Sequence, residues 1–451
     1  MRRPHLIFLT SLAGLALLLL IGGIVYNIPA VNDRLYPRID RFLSDLRQRF
    51  NPAPEVVPTV ASLANPPTFA PDTPTPDKSP VSNLPEASPT FNPSQPPPTS
   101  NLQPPTSTPP PLIFNLPASI SLSGARYEPQ LYNNCGPATL TAALVYWGWR
   151  GSESDGLTWY GNGVDVRWQR DIADTIKPGK SDKNVMAYEL GNYAEEYVGL
   201  NYVIRYGGDL DTVRLFVANG FPVIIERGFR EEEHGQIGQG WEGHYGLITG
   251  YNDGAQQFLT QDSFKGPNYL RDYNVTLRDW RDFNYLYLVL YPPDRESQVL
   301  TLLGDHANLT ANLNRALVKA QSEAAQHSDP ADLTFDWFNV GTSLQLLGRN
   351  QDAALAFDQA RSYGTLPYRM LWYQTYMYKA YFYSERYQDV IALADLTLQA
   401  SGLEESYYWR GWAYYQLGDA NAAVADMRAA LGEHPDWDQA IAALQQWGVS
   451  P

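Results

Sequence analysis

Cysteine is almost missing from this chain: Cys135 is the single thiol in 451 residues, so no disulfide can form within it. With one cysteine and only two histidines nearby, soft ligands are too few for a zinc site, and no metal or other cofactor is expected. Basic residues are scarce as well, 33 Lys and Arg against 48 Asp and Glu, for a net charge of −15. Nucleic acids and anionic membrane surfaces both require a basic face, so neither is expected as a partner. Histidine is limited to six residues, which makes the search for a catalytic base short.

What is present falls into blocks. Leu6 to Val25 is an apolar run without charge, about the length of a bilayer core as a helix. It reads as an uncleaved signal anchor within residues 1–30, in preference to a cleaved signal peptide. Residues 31–50 follow as a juxtamembrane amphipathic helix, with Leu35, Ile39, Leu43 and Leu46 on its apolar side. Roughly twenty of the 35 prolines then fall in residues 51–111, among Thr, Ser and Asn. Such a composition buries too little apolar surface to offset its ordering entropy, so a disordered linker is expected there. A stalk of this kind places the bulk of the chain outside the membrane.

Residues 112–293 are mixed in pattern. Pro137 suits a first helical position, and Leu140, Leu144 and Trp147 follow at helical spacing, so Cys135 stands at a helix N-terminus where a thiolate is favoured. A polar, Gly-rich region (151–183), a helical run near Met186–Ala194 and a short helix, Leu210–Ala218, come next. Strands are expected at Phe221–Glu226, Tyr245–Tyr251, Gln257–Gln261 and Tyr285–Tyr291. Helices first and an antiparallel sheet afterwards is an α+β order.

A cysteine nucleophile needs a base in hydrogen-bond reach and a group to orient it. His5 precedes the membrane run, and His306, His327 and His434 lie in the helical C-terminal part. His234 sits in the charged insertion Arg230–His234 and reads as a solvated loop residue. That leaves His244. Its strand meets the next across Asn252-Asp253-Gly254, a hairpin signal. A turn centred on Asp253 sets His244 opposite Asp262, on one face. Asp253, the rival carboxylate, reads as the turn residue. For the oxyanion donor the candidates are the side chain of Gln130, or of Asn133 or Asn134, beside the Cys135 backbone N–H.

The run Asn-Asn-Cys-Gly-Pro-Ala, then Gly-His-Tyr with a Thr-Gly-Tyr-Asn-Asp turn, then Gln-Asp, resembles the bacteriocin-processing (C-thirty-nine) type of papain-like cysteine peptidase, in its stand-alone anchored or secreted bacterial form. The resemblance implies Cys135 as nucleophile, His244 as base, Asp262 as orienting acid and Gln130 as oxyanion donor. Two departures stand out: the glutamine lies five rather than six residues before the cysteine, and no transporter domain accompanies the motif.

After a helical connector (294–331), residues 332–451 repeat a pattern. Trp337, Gly341, Leu347-Gly348, Ala353, Phe357 and Ala360 recur as Tyr407, Gly411, Leu417-Gly418, Ala423, Met427 and Ala430. A degenerate middle copy runs through Tyr378, Tyr387, Val390 and Ala394. The spacing, about 34 residues, resembles tetratricopeptide repeats. Such an array is either a stacked helical core or a concave surface for a protein partner. The expected architecture is therefore an α+β papain-like peptidase domain plus an all-α repeat solenoid, each with its own core, behind an N-terminal transmembrane helix and linker. The expected activity is a thiol peptidase on a peptide or protein substrate. A binding protein on the same scaffold, with an inert triad, is the alternative.

Overall fold

The computed structural model describes residues 39, 56–60, 67–70, 111–151, 167–179, 182–235, 240–401 and 403–451. The membrane helix expected over 1–30 and, apart from Ile39, the helix expected over 31–50 lie outside the described residues. Among the described residues, no helix is long and apolar enough to cross a membrane. The chain divides into two compact units after Ala53, and everything below concerns the unit Pro54–Pro451.

Seven strands, β1 (Ser119–Ser121), β2 (Asn201–Arg205), β3 (Val223–Phe229), β4 (Glu242–Asn252), β5 (Gln257–Asp262), β6 (Gly266–Asp272) and β7 (Tyr287–Tyr291), form one antiparallel sheet in the order β2-β7-β3-β4-β5-β6. β1 pairs with the last three residues of β4, beyond the point where β3 ends. Interleaved with them are α1 (Cys135–Tyr146), α2 (Arg167–Ile176), α3 (Ala187–Tyr193), α4 (Leu210–Ala218), the single turn α5 (Glu231–His234) and α6 (Tyr273–Arg281). Period-two alternation serves both faces of the sheet. On β3, Val223 and Ile225 enter a core with Val213, Phe216 and Val217 of α4, while Ile224 enters another with Leu140 and Leu144 of α1.

Helix α1 differs from the expected amphipathic stripe. Every residue from Gly136 to Leu144 is buried, as in a helix enclosed on all sides. It also begins at Cys135, so Pro137 is its third residue, still among the N–H positions that lack intrahelical partners. The region 151–183, read only as polar and Gly-rich, contains α2, and the edge strands β2 and β6 were not anticipated.

The C-terminal part is helical: α7 (Glu296–Leu303), α8 (Leu309–Gln326), α9 (Pro330–Leu346), α10 (Asn350–Ser362), α11 (Met370–Tyr373), α12 (Tyr376–Tyr383), α13 (Tyr387–Ala400), α14 (Glu404–Gln416), α15 (Ala420–Glu433) and α16 (Asp438–Gln446). Close crossings need small residues. A Cβ on Gly341 of α9 would lie 2.6 Å from the Phe357 ring of α10, and one on Gly411 of α14 would lie 3.2 Å from the Ala423 carbonyl of α15.

The expectation of separate cores on either side of residue 293 is corrected. One hydrophobic cluster runs from Leu140 and Leu190 through Phe338 and Phe357 to Trp412. Buried polar bonds stitch the same seam. Asn312 accepts from the Tyr206 N–H at 3.0 Å and donates to the Tyr206 carbonyl at 2.8 Å. Asn284 donates to Ser343 at 2.9 Å, and Asn339 to the Arg281 carbonyl at 2.7 Å. The linker is corrected at two points. Val57 and Phe69 are buried in this cluster, the Val57 N–H donates to Leu366 at 2.8 Å, and Gln321 donates to the Phe69 carbonyl at 2.9 Å. These are apolar side chains within a polar, Pro-rich stretch, and their burial offsets local ordering.

Three hairpin turns carry a residue in the left-handed region: Gly348 at φ 78°, Gly418 at φ 87° and, in the degenerate copy, Glu385 at φ 60°. A side chain there is strained where glycine is not. Glu385→Gly is therefore expected to raise stability by about 0.5–1 kcal/mol, net of the added freedom of the unfolded chain. Denaturant unfolding checks it: an unchanged or lowered midpoint contradicts the strain assigned to this turn.

Candidate active site

Cys135 is placed by the loop before it. Asn133 takes a left-handed conformation (φ 56°), which asparagine tolerates, and its carbonyl accepts from Lys177 Nζ at 3.0 Å. The Leu131 N–H donates to Gln169 Oε1 at 2.7 Å, and Gln169 Nε2 donates back to the Pro129 carbonyl at 2.9 Å. Both supports, Gln169 on α2 and Lys177 just after it, come from the region the sequence left without a role. Thr139, one turn into α1, donates to the Tyr245 carbonyl at 3.3 Å and ties the cysteine helix to β4.

His244 lies on β4, opposite Arg227 on β3. Its Nε2 is 3.0 Å from Asp262 Oδ1, and both residues are 2% exposed. The other nitrogen is left for the Cys135 sulfur, which is in electrostatic and hydrogen-bonding reach of His244. The ring stacks on Phe229, centroids 4.7 Å apart and planes at 24°.

Asp262 is reached by a route other than the expected one. The hairpin pairs Asn252 with Gln257, and Tyr251 with Phe258, so its loop is the four residues 253–256 and the register differs from a turn centred on Asp253. Continued unbroken, that register would put His244 and Asp262 on opposite faces. A one-residue bulge at Thr249 shifts the pairing to Ile248 with Thr260 and Leu247 with Gln261, which restores them to one face as diagonal neighbours. Asp253 is remote from this cluster; it accepts from Tyr273 at 2.9 Å and pairs with Arg214.

Asp262 accepts four bonds. Beside His244 it takes the Phe264 and Lys265 backbone N–H groups at 3.0 and 2.9 Å, and Arg227 Nη2 at 3.0 Å. Arg227 also pairs with Glu233 at 2.9 Å, and Glu233 with Arg271 at 2.6 Å. Arg271 pairs with Asp279, Asp279 with Arg230 at 2.5 Å, and Arg230 with Asp282 at 2.8 Å. The acidic insertion is thus folded inward. His234, expected in solvent, is buried with its Nε2 2.9 Å from the Gly240 carbonyl and its ring edge-on to Phe229. The signal for this network was available in Arg227, a charge inside an otherwise buried strand, since a buried charge is paired.

Gln130 is brought to the same corner. Its N–H donates to the Ser263 carbonyl at 3.0 Å, and its Oε1 accepts from the Ser263 hydroxyl at 2.9 Å. Asn134, the other amide candidate that is buried, precedes α1 and makes no side-chain cap bond. His306, His327 and His434 sit in the helical part, beside Asn312, Asp336 and Glu404 respectively.

The helical part closes one side of this corner. Tyr373 of α11 packs on Trp241 and Phe283, and a Cβ on Gly243, next to His244, would lie 2.8 Å from its ring. Arg369 pairs with Glu242 at 2.9 Å, and Asn184 donates to the Trp372 carbonyl at 2.6 Å.

Electrostatics sort the three groups. Burial by itself raises the Cys135 thiol, but the His244 hydrogen bond and charge, the Tyr245 backbone N–H and Lys177 outweigh it, and the thiol is held below its ordinary value. Burial lowers His244, but the Asp262 charge and hydrogen bond push it up to about 9. Burial would raise Asp262, yet His244, Arg227 and the Lys265 N–H hold it far below the usual carboxylate range. Both shifts act in one direction, toward a thiolate at Cys135 and a retained proton on His244.

Residues 123–288 match the Peptidase_C39 like family. The match includes Gln130, Cys135, His244 and Asp262, and ends before the helical part. A solved Bacillus anthracis protein described as C39-like aligns at 16% identity over 38% of this chain and 96% of its own, with a TM-score of 0.29. No curated protein matches. By the family match residues 123–288, most of the sheet and its packed helices, are similar to the C39-like peptidase family, and a helical region follows them.

The imidazolium must keep its proton for the pair to act, so activity is expected to fall on the basic side near pH 9, with the acidic limb set by the lowered thiol. For stability the sign is the same: His244 is raised, so its contribution is full below its unfolded value and is lost as pH climbs through about 9. Asp262→Asn removes the charge that raises it, and is expected to move the basic limb down by about one pH unit or more. A limb that stays put in the variant assigns it to another group.

Proposed function

We propose that residues 112–293 are a thiol peptidase in which Cys135 is the nucleophile, His244 its acid and base, and Asp262 the group that orients and charges His244. The observation that carries this reading is the Cys135-His244-Asp262 chain, with each member's proton affinity moved in the direction the chemistry needs. The thiolate sulfur attacks the substrate carbonyl carbon, and the carbonyl electron pair moves to oxygen. The oxyanion collapses, the C–N bond breaks, and the imidazolium gives its proton to the departing amine. Neutral His244 then takes a proton from water as the hydroxyl attacks the thioester, releasing the acid and restoring the thiolate.

The oxyanion is assigned to the Cys135 backbone N–H, at the first position of α1, with the side chain of Gln130. The Ser263 hydroxyl on Gln130 Oε1 leaves the amide NH2 as the donating end. The charge-free run Leu6–Val25 and the Pro/Thr/Ser stretch support an anchored enzyme whose bulk lies outside the membrane. The recurrent small residues and Gly turns support reading the helical region as tetratricopeptide-like. Its contact at Gly243 supports a role at the substrate corner, where a peptide or a protein partner would meet it.

Labelling with an iodoacetamide probe tests the enzyme reading. Cys135 is expected to react below neutral pH faster than a free thiol, and Cys135→Ala to lose hydrolysis of a peptide panel by at least about 10³-fold. Ordinary thiol reactivity, or hydrolysis that survives Cys135→Ala, overturns it.

A further inference from the structure

A second group of titratable side chains lies away from the catalytic corner, at the seam between the C39-like domain and the helical region. Glu189 of α3 and Glu404 and Glu405 of α14 each direct one carboxylate oxygen to a common point, with these oxygens within 4.8 Å of one another. Glu404 is 3% exposed, and its Oε2 is fully buried without a hydrogen-bond partner among the described residues. Its other oxygen, Oε1, is 3.5 Å from His434 Nδ1. Glu189 has one oxygen committed, since Oε2 accepts from the Met186 N–H at 2.7 Å.

We propose that Glu189, Glu404 and Glu405 form a divalent cation site, with calcium the favoured ion, that clamps α14 of the helical region to α3 of the catalytic domain. A buried carboxylate oxygen without a donor costs free energy, and Glu404 carries one as a member of this three-carboxylate group. An oxygen-only donor set selects a hard cation. Calcium accepts oxygens at about 2.3–2.6 Å in flexible geometry, which suits carboxylates brought from two separate helices, whereas magnesium requires a tighter, near-octahedral shell. Metal binds the ionised carboxylates, so binding displaces the protons that burial and the neighbouring carboxyls favour on Glu189 and Glu405.

The site would also bear on the nucleophile. Asp182 is in electrostatic reach of both Glu404 and Lys177, and Lys177 holds the Asn133 carbonyl two residues before Cys135. From Asp182 the chain runs to Asn184, bonded to Trp372, and Val185, whose carbonyl accepts from Tyr245 at 2.9 Å. Occupancy therefore fixes the seam that flanks α1.

Calorimetric titration of the full chain with calcium chloride after EDTA treatment, paired with thermal unfolding, tests the proposal without any assay of peptidase activity. One ion per chain is expected, with a raised unfolding temperature, and with binding weakened at least tenfold in Glu404→Gln and in Glu189→Gln. Glu405→Gln, at a half-buried position, serves if Glu404→Gln does not fold. Absence of binding by calcium, magnesium and manganese at millimolar concentration overturns the proposal. So does calcium binding that the three variants leave unchanged. Glu404→Gln that unfolds at a higher temperature with and without calcium also overturns it, because that marks a cluster neutralised by protons.

Discussion

The structure depends most on a single buried carboxylate. Asp262 sits where solvent cannot reach it, and an ionised group there is tolerated only if hydrogen bonds and charge replace its lost hydration. Four donors do so, two from the backbone of its own turn and two from side chains on β4 and β3. The consequences run outward in both directions. Toward Cys135, the charge holds a proton on His244 and so allows a thiolate. Toward the interior, Arg227 must be balanced in turn, and that requirement folds the acidic insertion onto Arg271, Asp279 and Arg230. The insertion is therefore part of the support of Asp262.

The residues that meet at this corner were legible because scarcity did the selecting: one cysteine, and one histidine left in a strand beside a hairpin. Their relation was legible only in part. Symmetry about Asp253 paired His244 with Asp262 through a register the hairpin does not adopt. The loop is longer than a turn centred on Asp253, which costs one parity, and the bulge at Thr249 returns it. Two local departures cancelled, and periodicity alone reveals neither. Arg227, Gln169 and Lys177 were not found because each acts across the fold, on groups 35 to 44 residues away for the bonds given above.

The helical region shows what sequence repetition can and cannot fix. Small residues at Gly341, Ala353, Gly411 and Ala423 do mark close crossings, and Gly348 and Gly418 do turn the chain in the left-handed region. The middle copy keeps the same turn with Glu385, so geometry persists after its sequence signature has faded. What repetition did not convey is that the array shares its core with the catalytic domain. That depends on singular residues outside the pattern, such as Asn312, Asn284 and Tyr373, which satisfy polar groups or fill space on the other side of the seam.

Buried charge is handled in two different ways along this chain, and the contrast separates the two sites. Around His244 the buried carboxylates Asp262, Glu233, Asp279 and Asp282 are each met by an arginine, which carries the compensating charge in the fold itself. Glu226 is met by none among the described residues, and burial pushes its carboxyl well up. At the seam, Glu189 accepts one backbone N–H, and Glu404 has His434 Nδ1 3.5 Å away without a hydrogen bond between them. A network closed by arginine is permanent and suits a carboxylate held ionised in the interior. A cluster closed by something exchangeable can be set by its surroundings, and it stands where the helical region meets the domain that carries the thiolate.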